Sequence, residues 1–296
     1  MTDERADYPI LSVAAGKGGT GKTLIATSLA ISLMQTGTGP VRVLDCDVEE
    51  PNVDILLPTE MTSHEQVDIL VPEVEMDKCI HCGRCAAVCE VSAIAAIRTA
   101  VITFHDLCSG CGACAIACPT GAIVETPMRV GEVSSGKADG DIEVYLGRLD
   151  VGHQRSGPVT KAVKEYLADD RINIIDAPPG TACPMQEAVD GSDYCILVTE
   201  PTPFGLANLR EAVETSRKLG TPCGVIINRD RQGWDEMDRY LADEDIEILL
   251  RVPERREIAE AYSRGETLVV ADEHWRDELV AVYQHITELV AKQPVS

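Results

Sequence analysis

Residues 10–30 read ILSVAAGKGGTGKTLIATSLA, and the eight residues from Gly16 to Thr23 decide the fold. An apolar run from Ile10 to Ala15 precedes the glycines, and a second apolar run follows them. This order predicts a buried strand, a glycine-rich loop and a helix. Backbone N–H groups of such a loop point at phosphate oxygens, and the N-terminus of the following helix adds partial positive charge. The segment is therefore predicted to bind the phosphates of a nucleotide.

The spacing G-x-x-x-x-G-K-T assigns roles to two side chains. Lys22 would reach the β- and γ-phosphates, and the Thr23 hydroxyl would ligate Mg²⁺. The whole loop is predicted to contact ATP: Gly16, Lys17, Gly18, Gly19, Thr20, Gly21, Lys22 and Thr23. A plain glycine turn is the alternative, which the strand-to-helix context disfavours.

Length and charge limit the classes of protein to consider. The 296 residues suffice for one large α/β domain and a small second module. The N-terminal residues 1–8 are polar, and no run approaches the roughly 18 apolar residues of a membrane span, so we expect a cytoplasmic protein without stable membrane anchoring. The net charge of −23 argues against a nucleic-acid partner, because phosphates would be repelled.

Acidic residues follow two further buried strands of the sequence. Asp45 and Asp47 come after the run 41–44, and Asp176 follows the run 172–175. Ligands bind at the carboxyl edge of a parallel sheet, so these carboxylates are expected beside the glycine loop. A carboxylate near the γ-phosphate is suited to positioning water. The alternative is that the aspartates merely end their strands.

The loop sequence K-G-G-T-G-K-T resembles the deviant Walker A motif of the MinD/ParA and nitrogenase iron-protein group of dimeric ATPases. In that group the lysine at the position of Lys17 crosses the dimer interface to the partner's nucleotide. The resemblance therefore implies a homodimer closed by ATP, with Lys17 and Lys22 both catalytic. The alternative for Lys17 is a solvated lysine on an exposed loop.

The same resemblance assigns the remaining nucleotide-site residues. It implies that Asp47 orients the attacking water and that Asp45 and Asp176 hold the hydration shell of Mg²⁺. The segment Asp176–Gly180 is similar to the D-x-P-x-G switch II, whose glycine amide, here Gly180, senses the γ-phosphate. Asn228 falls where the family uses an asparagine to recognise adenine, although a strand-end turn residue is the alternative.

Eight of the twelve cysteines lie in one window, as two copies of C-x2-C-x2-C-x3-C. This arrangement is typical of a bacterial-type ferredoxin with two [4Fe–4S] clusters, in which the fourth cysteine of each run ligates the other cluster. The predicted ligands are Cys79, Cys82, Cys85 and Cys118 for cluster 1, and Cys108, Cys111, Cys114 and Cys89 for cluster 2. Glu90 replaces the proline of the pattern, whereas Pro119 keeps it. Zinc is the disfavoured alternative.

Outside this window, Cys183 lies beside switch II. We predict a small buried thiol there, with a redox role as the alternative.

The predicted fold is α/β, with a doubly wound, mostly parallel sheet and an inserted small α+β ferredoxin-like module. We assign 71–127 to the module, and 1–70 with 128–296 to the ATPase domain. Glycines and serines in 128–140 predict a turn-rich return to the main domain.

The whole chain resembles MinD-superfamily P-loop ATPases with an inserted ferredoxin domain. This resemblance implies a Mg²⁺-dependent ATPase that couples a nucleotide-dependent dimer switch to electron transfer through both clusters, together with a redox partner protein. A carrier ATPase for iron–sulfur or metal-cofactor assembly is the alternative, although no C-x-x-C occurs after Cys118. A spatial-organisation ATPase is a second alternative, but the C-terminal helix carries acids instead of a basic face.

Overall fold

The framework of the protein is one large sheet. The computed structural model describes residues 8–231 and 234–292. Its strands are β1 (Ile10–Ala14), β2 (Val41–Asp45), β3 (Thr59–Val74), β4 (Ile94–Ile97), β5 (Ala100–Thr103), β6 (Ile123–Ala138), β7 (Ile142–Leu149), β8 (Ile172–Asp176), β9 (Tyr194–Thr199), β10 (Cys223–Asp230) and β11 (Ile248–Pro253). Within the described ranges, nine of them pair in the order β11-β10-β9-β1-β8-β2-β7-β6-β3, and β4 pairs with β5 alone.

Most neighbours in this sheet are parallel. Strands from β11 through β7 in the spatial order run the same way, whereas β6 is antiparallel to β7 and β3 is antiparallel to β6. The predicted mostly parallel α/β sheet is therefore confirmed. Because β1, β2 and β8 are neighbours, their carboxyl ends bring the glycine loop, Asp45 and Asp176 to one edge.

Helices cover both faces of the sheet. They are α1 (Lys22–Gln35), α2 (Val53–Leu56), α3 (Arg84–Ala87), α4 (Ala113–Ala117), α5 (Gly157–Lys164), α6 (Cys183–Val189), α7 (Pro203–Leu219), α8 (Glu236–Asp243), α9 (Arg256–Ser263), α10 (Leu268–Ala271) and α11 (His274–Ala291). Successive side chains of β8 point to opposite faces of the sheet, so they belong to two different apolar cores. Ile172 and Ile174 share a core with α1 and α11, whereas Ile175 faces a core built with α6 and α7.

A long antiparallel ribbon leaves this sheet. β3 and β6 pair over their full lengths, from Thr59 opposite Ala138 to Val74 opposite Ile123. β7 accompanies β6 only over Gly131–Ala138. The remaining part, residues 68–74 with 123–130, is called the arm here. At about 3.3 Å per residue its seven paired positions extend roughly 23 Å beyond the sheet.

The prediction that residues 128–140 are rich in turns is wrong, because these residues lie almost entirely in β6. The glycines of this segment allow neighbouring parts of the chain to pack closely against β6, and they do not reverse the chain. A methyl group placed on Gly131 would lie 2.7 Å from Val159 Cγ2, and one on Gly136 would overlap the backbone at Glu60. β3 and β6 therefore run through both boundaries, 70/71 and 127/128, at which we place the module.

Residues 75–122 form a compact unit at the tip of the arm, called the cysteine module here. Its two halves repeat at an interval of 29 residues: α3 and α4 each begin after a left-handed glycine, Gly83 or Gly112. Cys85 and Cys114, one from each half, are buried together with Ile94 and Ile123. The internal repeat of the sequence is thus a repeat of structure.

Candidate functional site

The glycine loop connects β1 to α1 with the conformation that glycine allows. Gly19 and Gly21 have φ of 77° and 96°, in the left-handed region. A methyl group on Gly16 would lie 2.6 Å from the backbone carbonyl carbon of Asn208. The loop is therefore held closely against α7, and its shape excludes side chains at these positions.

Lys22 and Asp47 face each other beneath the loop. The distance from Lys22 Nζ to an Asp47 carboxylate oxygen is 3.6 Å, and both side chains are largely buried. Burial raises the pKa of Asp47 to about 6, although the Lys22 ammonium opposes this shift. The cation predicted to reach the phosphates and the carboxylate predicted to orient water thus lie side by side.

Asp176 and Thr23 form a set of oxygen donors that fits Mg²⁺. The Thr23 hydroxyl donates to Asp176 Oδ2 at 2.6 Å, while Asp176 Oδ1 is buried without a hydrogen-bond partner among the described residues. Burial raises the pKa of Asp176, and Lys22 and Thr23 oppose the shift. A carboxylate oxygen left free beside a hydroxyl is the chemistry that hard cations prefer.

Asp45 accepts three backbone hydrogen bonds. Its Oδ1 accepts the N–H of Asp47 at 3.1 Å, and its Oδ2 accepts those of Asn52 and Val53 at 2.9 and 3.0 Å. Burial and the nearby Asp176 carboxylate raise the pKa of Asp45 well above its usual range. The side chain therefore shapes the turn after β2 and the start of α2, and its carboxylate lies close enough to that of Asp176 for the two charges to interact.

Lys17 is paired within its own chain. Its Nζ lies 3.0 Å from Glu200 Oε2, and Arg229 Nη1 donates to the other oxygen of Glu200. Glu200 is largely buried. Sequence reasoning missed this residue, although its position directly after buried strand β9, at the same carboxyl edge, was a usable signal.

Asn228 lines a cavity of about 210 Å³ beside the loop. Its side-chain amide donates to the Thr20 carbonyl at 2.7 Å, so it braces the loop from β10. The same cavity is lined by Tyr262, which the sequence did not single out. Gly180 has φ of 97°, and its N–H donates to the carbonyl of Ala15, the residue before the loop, at 2.9 Å.

The eight module cysteines line two separate cavities. Cys89, Cys108, Cys111 and Cys114 line one of about 280 Å³. Cys79, Cys82, Cys85 and Cys118 line a narrower one of about 20 Å³. Each cavity thus collects the four thiols predicted for one cluster, including the exchanged fourth cysteine. No three described His, Cys, Asp or Glu side chains are grouped to hold a single metal ion.

Backbone amides already point at several of these sulfurs. The N–H groups of Ala93 and Ala122 donate to Cys89 Sγ and Cys118 Sγ, both at 3.2 Å. Gly110 N–H lies 3.4 Å from Cys108 Sγ. Burial opposes ionisation of Cys118, but N–H and hydroxyl donors around it prevail and lower its pKa. A thiolate-rich donor set with N–H groups aimed at sulfur fits an iron–sulfur cluster.

The other four cysteines stand apart from these cavities. Cys46 and Cys195 are buried, and desolvation raises the pKa of both thiols, that of Cys195 to about 12. The prediction that Cys183 is buried is wrong: it is exposed at the first position of α6, just after switch II. All twelve cysteines are free thiols. None of the described helices is both long and apolar enough to cross a bilayer.

Comparison with known proteins gives a consistent result. The model of the CobQ/CobB/MinD/ParA nucleotide binding domain matches residues 11–269. An uncharacterized protein of Methanocaldococcus jannaschii is 29% identical over 267 residues, which cover 89% of this chain and 93% of that protein. An iron-sulfur cluster carrier protein of Aquifex aeolicus is 23% identical over 305 residues, covering 96% of this chain and 67% of the carrier.

Among solved structures, the fold is similar to that of the septum site-determining protein MinD of Pyrococcus horikoshii, complexed with Mg-ADP. The TM-score is 0.54 at 19% sequence identity, and the match covers 96% of each chain. The main sheet and its helices therefore have the MinD fold.

Proposed function

The chain belongs to the CobQ/CobB/MinD/ParA nucleotide-binding family, and we propose that it is a Mg²⁺-dependent ATPase coupled to electron transfer through two [4Fe–4S] clusters. The observation that carries the proposal is the sorting of eight thiols into two cavities, four in each. Clusters bound there would exchange single electrons. Full ligation by four cysteines suits retention of a cluster better than its release.

The chain's own residues account for the ATPase part. Lys22 would neutralise the phosphates, and Asp47 beside it would position the attacking water. Thr23 and the free oxygen of Asp176 would hold Mg²⁺ between them. The cavity beside Asn228 and Tyr262 would take the base, since it opens next to the glycine loop.

Lys17 supports the proposal of a dimer closed by ATP. In the single chain it is bound to Glu200, so reaching a partner's nucleotide requires that this ion pair opens. The γ-phosphate would provide the competing negative charge. The N–H of Gly180 must likewise leave the Ala15 carbonyl before it can bind phosphate. Both contacts therefore fit a switch between two arrangements.

An anaerobic redox titration followed by electron paramagnetic resonance tests the coupling. Protein with both clusters is titrated alone, with MgADP and with a non-hydrolysable MgATP analogue. We expect a nucleotide-dependent shift of potential beyond about 30 mV, which for one electron is about 0.7 kcal/mol. Unchanged potentials in all three states, with nucleotide bound, would refute the coupling.

An iron–sulfur carrier is the second candidate, favoured by the similarity to the iron-sulfur cluster carrier protein of Aquifex aeolicus. Two of the module thiols, Cys82 and Cys111, are exposed, one in each cavity. A carrier would deliver a cluster to an apo-acceptor protein in an ATP-dependent manner. Stoichiometric transfer that ATP accelerates would favour this function, whereas retention of both clusters through many turnovers would favour electron transfer.

A further inference from the structure

The two halves of the cysteine module differ in what touches them. In the second half, a methyl group on Gly110 would lie 3.2 Å from Ile69 Cβ on β3. A methyl group on Gly112 would lie 3.3 Å from a Glu125 carboxylate oxygen on β6. The second cysteine loop therefore lies directly on the arm.

The first half lacks this contact. Gly83 is the counterpart of Gly112, and no described atom comes within 4 Å of a methyl group placed on it. His81 is the counterpart of Gly110, and it keeps the left-handed conformation, with φ of 54°, while carrying a full side chain. Of these two matched positions, the one at Gly110 and His81 is a glycine where the arm approaches and carries a side chain where the arm is distant.

Ile69 lies between the second cysteine loop and the part of the chain next to the nucleotide site. It packs on an apolar cluster formed by Val48, Val130 and Val159. Val48 directly follows Asp47 in the chain and is buried, with its carbonyl accepting the Leu149 N–H at 2.8 Å. A displacement of the Asp47 turn therefore presses on the cluster that supports Ile69, because packed apolar groups leave little free space.

A second bridge reaches the same cysteine loop. Arg155, in the segment after β7, donates from Nη2 to the Leu107 carbonyl at 2.7 Å, one residue before Cys108. Leu70 and Pro72 of the arm line the cavity of Cys89, Cys108, Cys111 and Cys114. The other cavity is bordered by the arm only at its very end, by Val74 and Ile123.

We propose that Ile69 is the positioning residue through which the nucleotide state at Asp47 reaches the loop Cys108–Cys114, so that only cluster 2 responds to the nucleotide. The inference rests on the proposed function and assigns its coupling to one of the two cysteine sets. The other set meets the arm only at its last pair, Val74 and Ile123, and Ile80 in its loop is 62% exposed. The conformation of the loop Cys79–Cys85 is therefore expected to stay the same when the nucleotide binds.

Hydrogen exchange measured by mass spectrometry on the full, cluster-containing protein tests this assignment under anaerobic conditions. Exchange is compared with and without a non-hydrolysable MgATP analogue in the glycine loop and in the matched segments 76–87 and 105–116. We expect slower exchange in the glycine loop, an at least twofold change in 105–116 and no change in 76–87. The Ile69→Ala variant should lose the change in 105–116 while keeping that of the glycine loop.

Two further variants separate positioning from general destabilisation. Ile69→Val keeps a branched side chain and should restore the response of 105–116. Ile102→Ala removes a half-exposed apolar side chain from the module hairpin of β4 and β5, outside the apolar cluster that supports Ile69, and should leave the response intact. The nucleotide-dependent shift of the cluster potential should follow the same order in the three variants.

Equal responses of 76–87 and 105–116, or an unaltered response in Ile69→Ala, would overturn the inference and leave the proposed function standing. Protection of the glycine loop without any change in either segment would also overturn it. Failure of the nucleotide to protect the glycine loop would refute the proposed ATPase itself, and with it the signal that Ile69 is inferred to transmit.

Discussion

Replacing Asp47 with asparagine should stabilise the nucleotide-free protein at neutral pH while abolishing ATP hydrolysis. The folded protein holds this carboxyl largely buried, with its pKa raised to about 6 from an ordinary value of 3.8. Between these two values the folded state binds a proton that the unfolded state has released. Stability therefore falls as the pH rises through this window, and the loss is complete above pH 6.

The magnitude follows from the same shift. Two pKa units at about 1.4 kcal/mol each give an upper value near 3 kcal/mol, and the remaining solvent contact of the carboxylate reduces it to about 1–2 kcal/mol. The asparagine side chain cannot ionise, so the variant avoids this loss. We expect Asp47→Asn to raise the free energy of unfolding by about 1–2 kcal/mol at pH 7.5, with the difference shrinking toward pH 4.

Urea unfolding of the nucleotide-free protein at several pH values, followed by the fluorescence of buried Trp275, measures this difference. Glu49→Gln is the matched control, since Glu49 is an exposed acid two residues away and its removal should change little. A variant no more stable than the parent at pH 7.5, or a difference that grows as the pH falls, would refute the reasoning.

Three other predictions concern the proposed sites. Lys22→Ala should lower ATP hydrolysis by roughly 100-fold or more, because it removes the buried cation at the phosphates, while iron content stays unchanged; loss of iron as well would show that the two sites depend on each other. Lys17→Ala should lower kcat by about tenfold or more with less than about a threefold change in nucleotide Kd, since the partner's phosphate is contacted only in the dimer. An unaltered hydrolysis rate would contradict the shared site. Cys118→Ser should reduce iron from about eight to about four atoms per chain, whereas Cys183→Ser should leave it unchanged. Colorimetric iron and sulfide determination distinguishes these outcomes, and equal iron loss in both variants would contradict the ligand assignment.

Local sequence carried enough information to predict the parallel sheet. The strands β1, β2 and β8 that end at the nucleotide edge are short and mainly apolar, and they lead into the glycine loop or end in an aspartate. Such runs are typical of strands buried on both faces. The ribbon of β3 and β6 was not predicted, because Gly131 and Gly136 were interpreted as turn residues. Glycine is required at these positions because residues distant in sequence pack against them, and a local sequence pattern does not reveal such contacts.

In the candidate site, too, local patterns could be predicted from the sequence, whereas contacts between distant segments could not. The cysteine spacing predicted which four thiols would share a cavity, because the repeat itself encodes the exchange of the fourth residue. The pairing of Lys17 with Glu200 depends on strand order, since 183 residues separate them. The three amides that occupy Asp45 likewise come from the turn that follows it, and an acidic residue at a strand end does not reveal them.

The ribbon also sets how far the cysteines can stand from the nucleotide. The arm ends at Val74 and Ile123, which are paired with each other, so removing the same number of residues from both strands would keep this pair at the module. Removing one residue from each strand would turn every following side chain to the opposite face and take Ile69 off its apolar support. Removing two would restore the faces. The distance between the nucleotide site and the cysteine module can therefore change only in steps of two residues per strand, or about 7 Å.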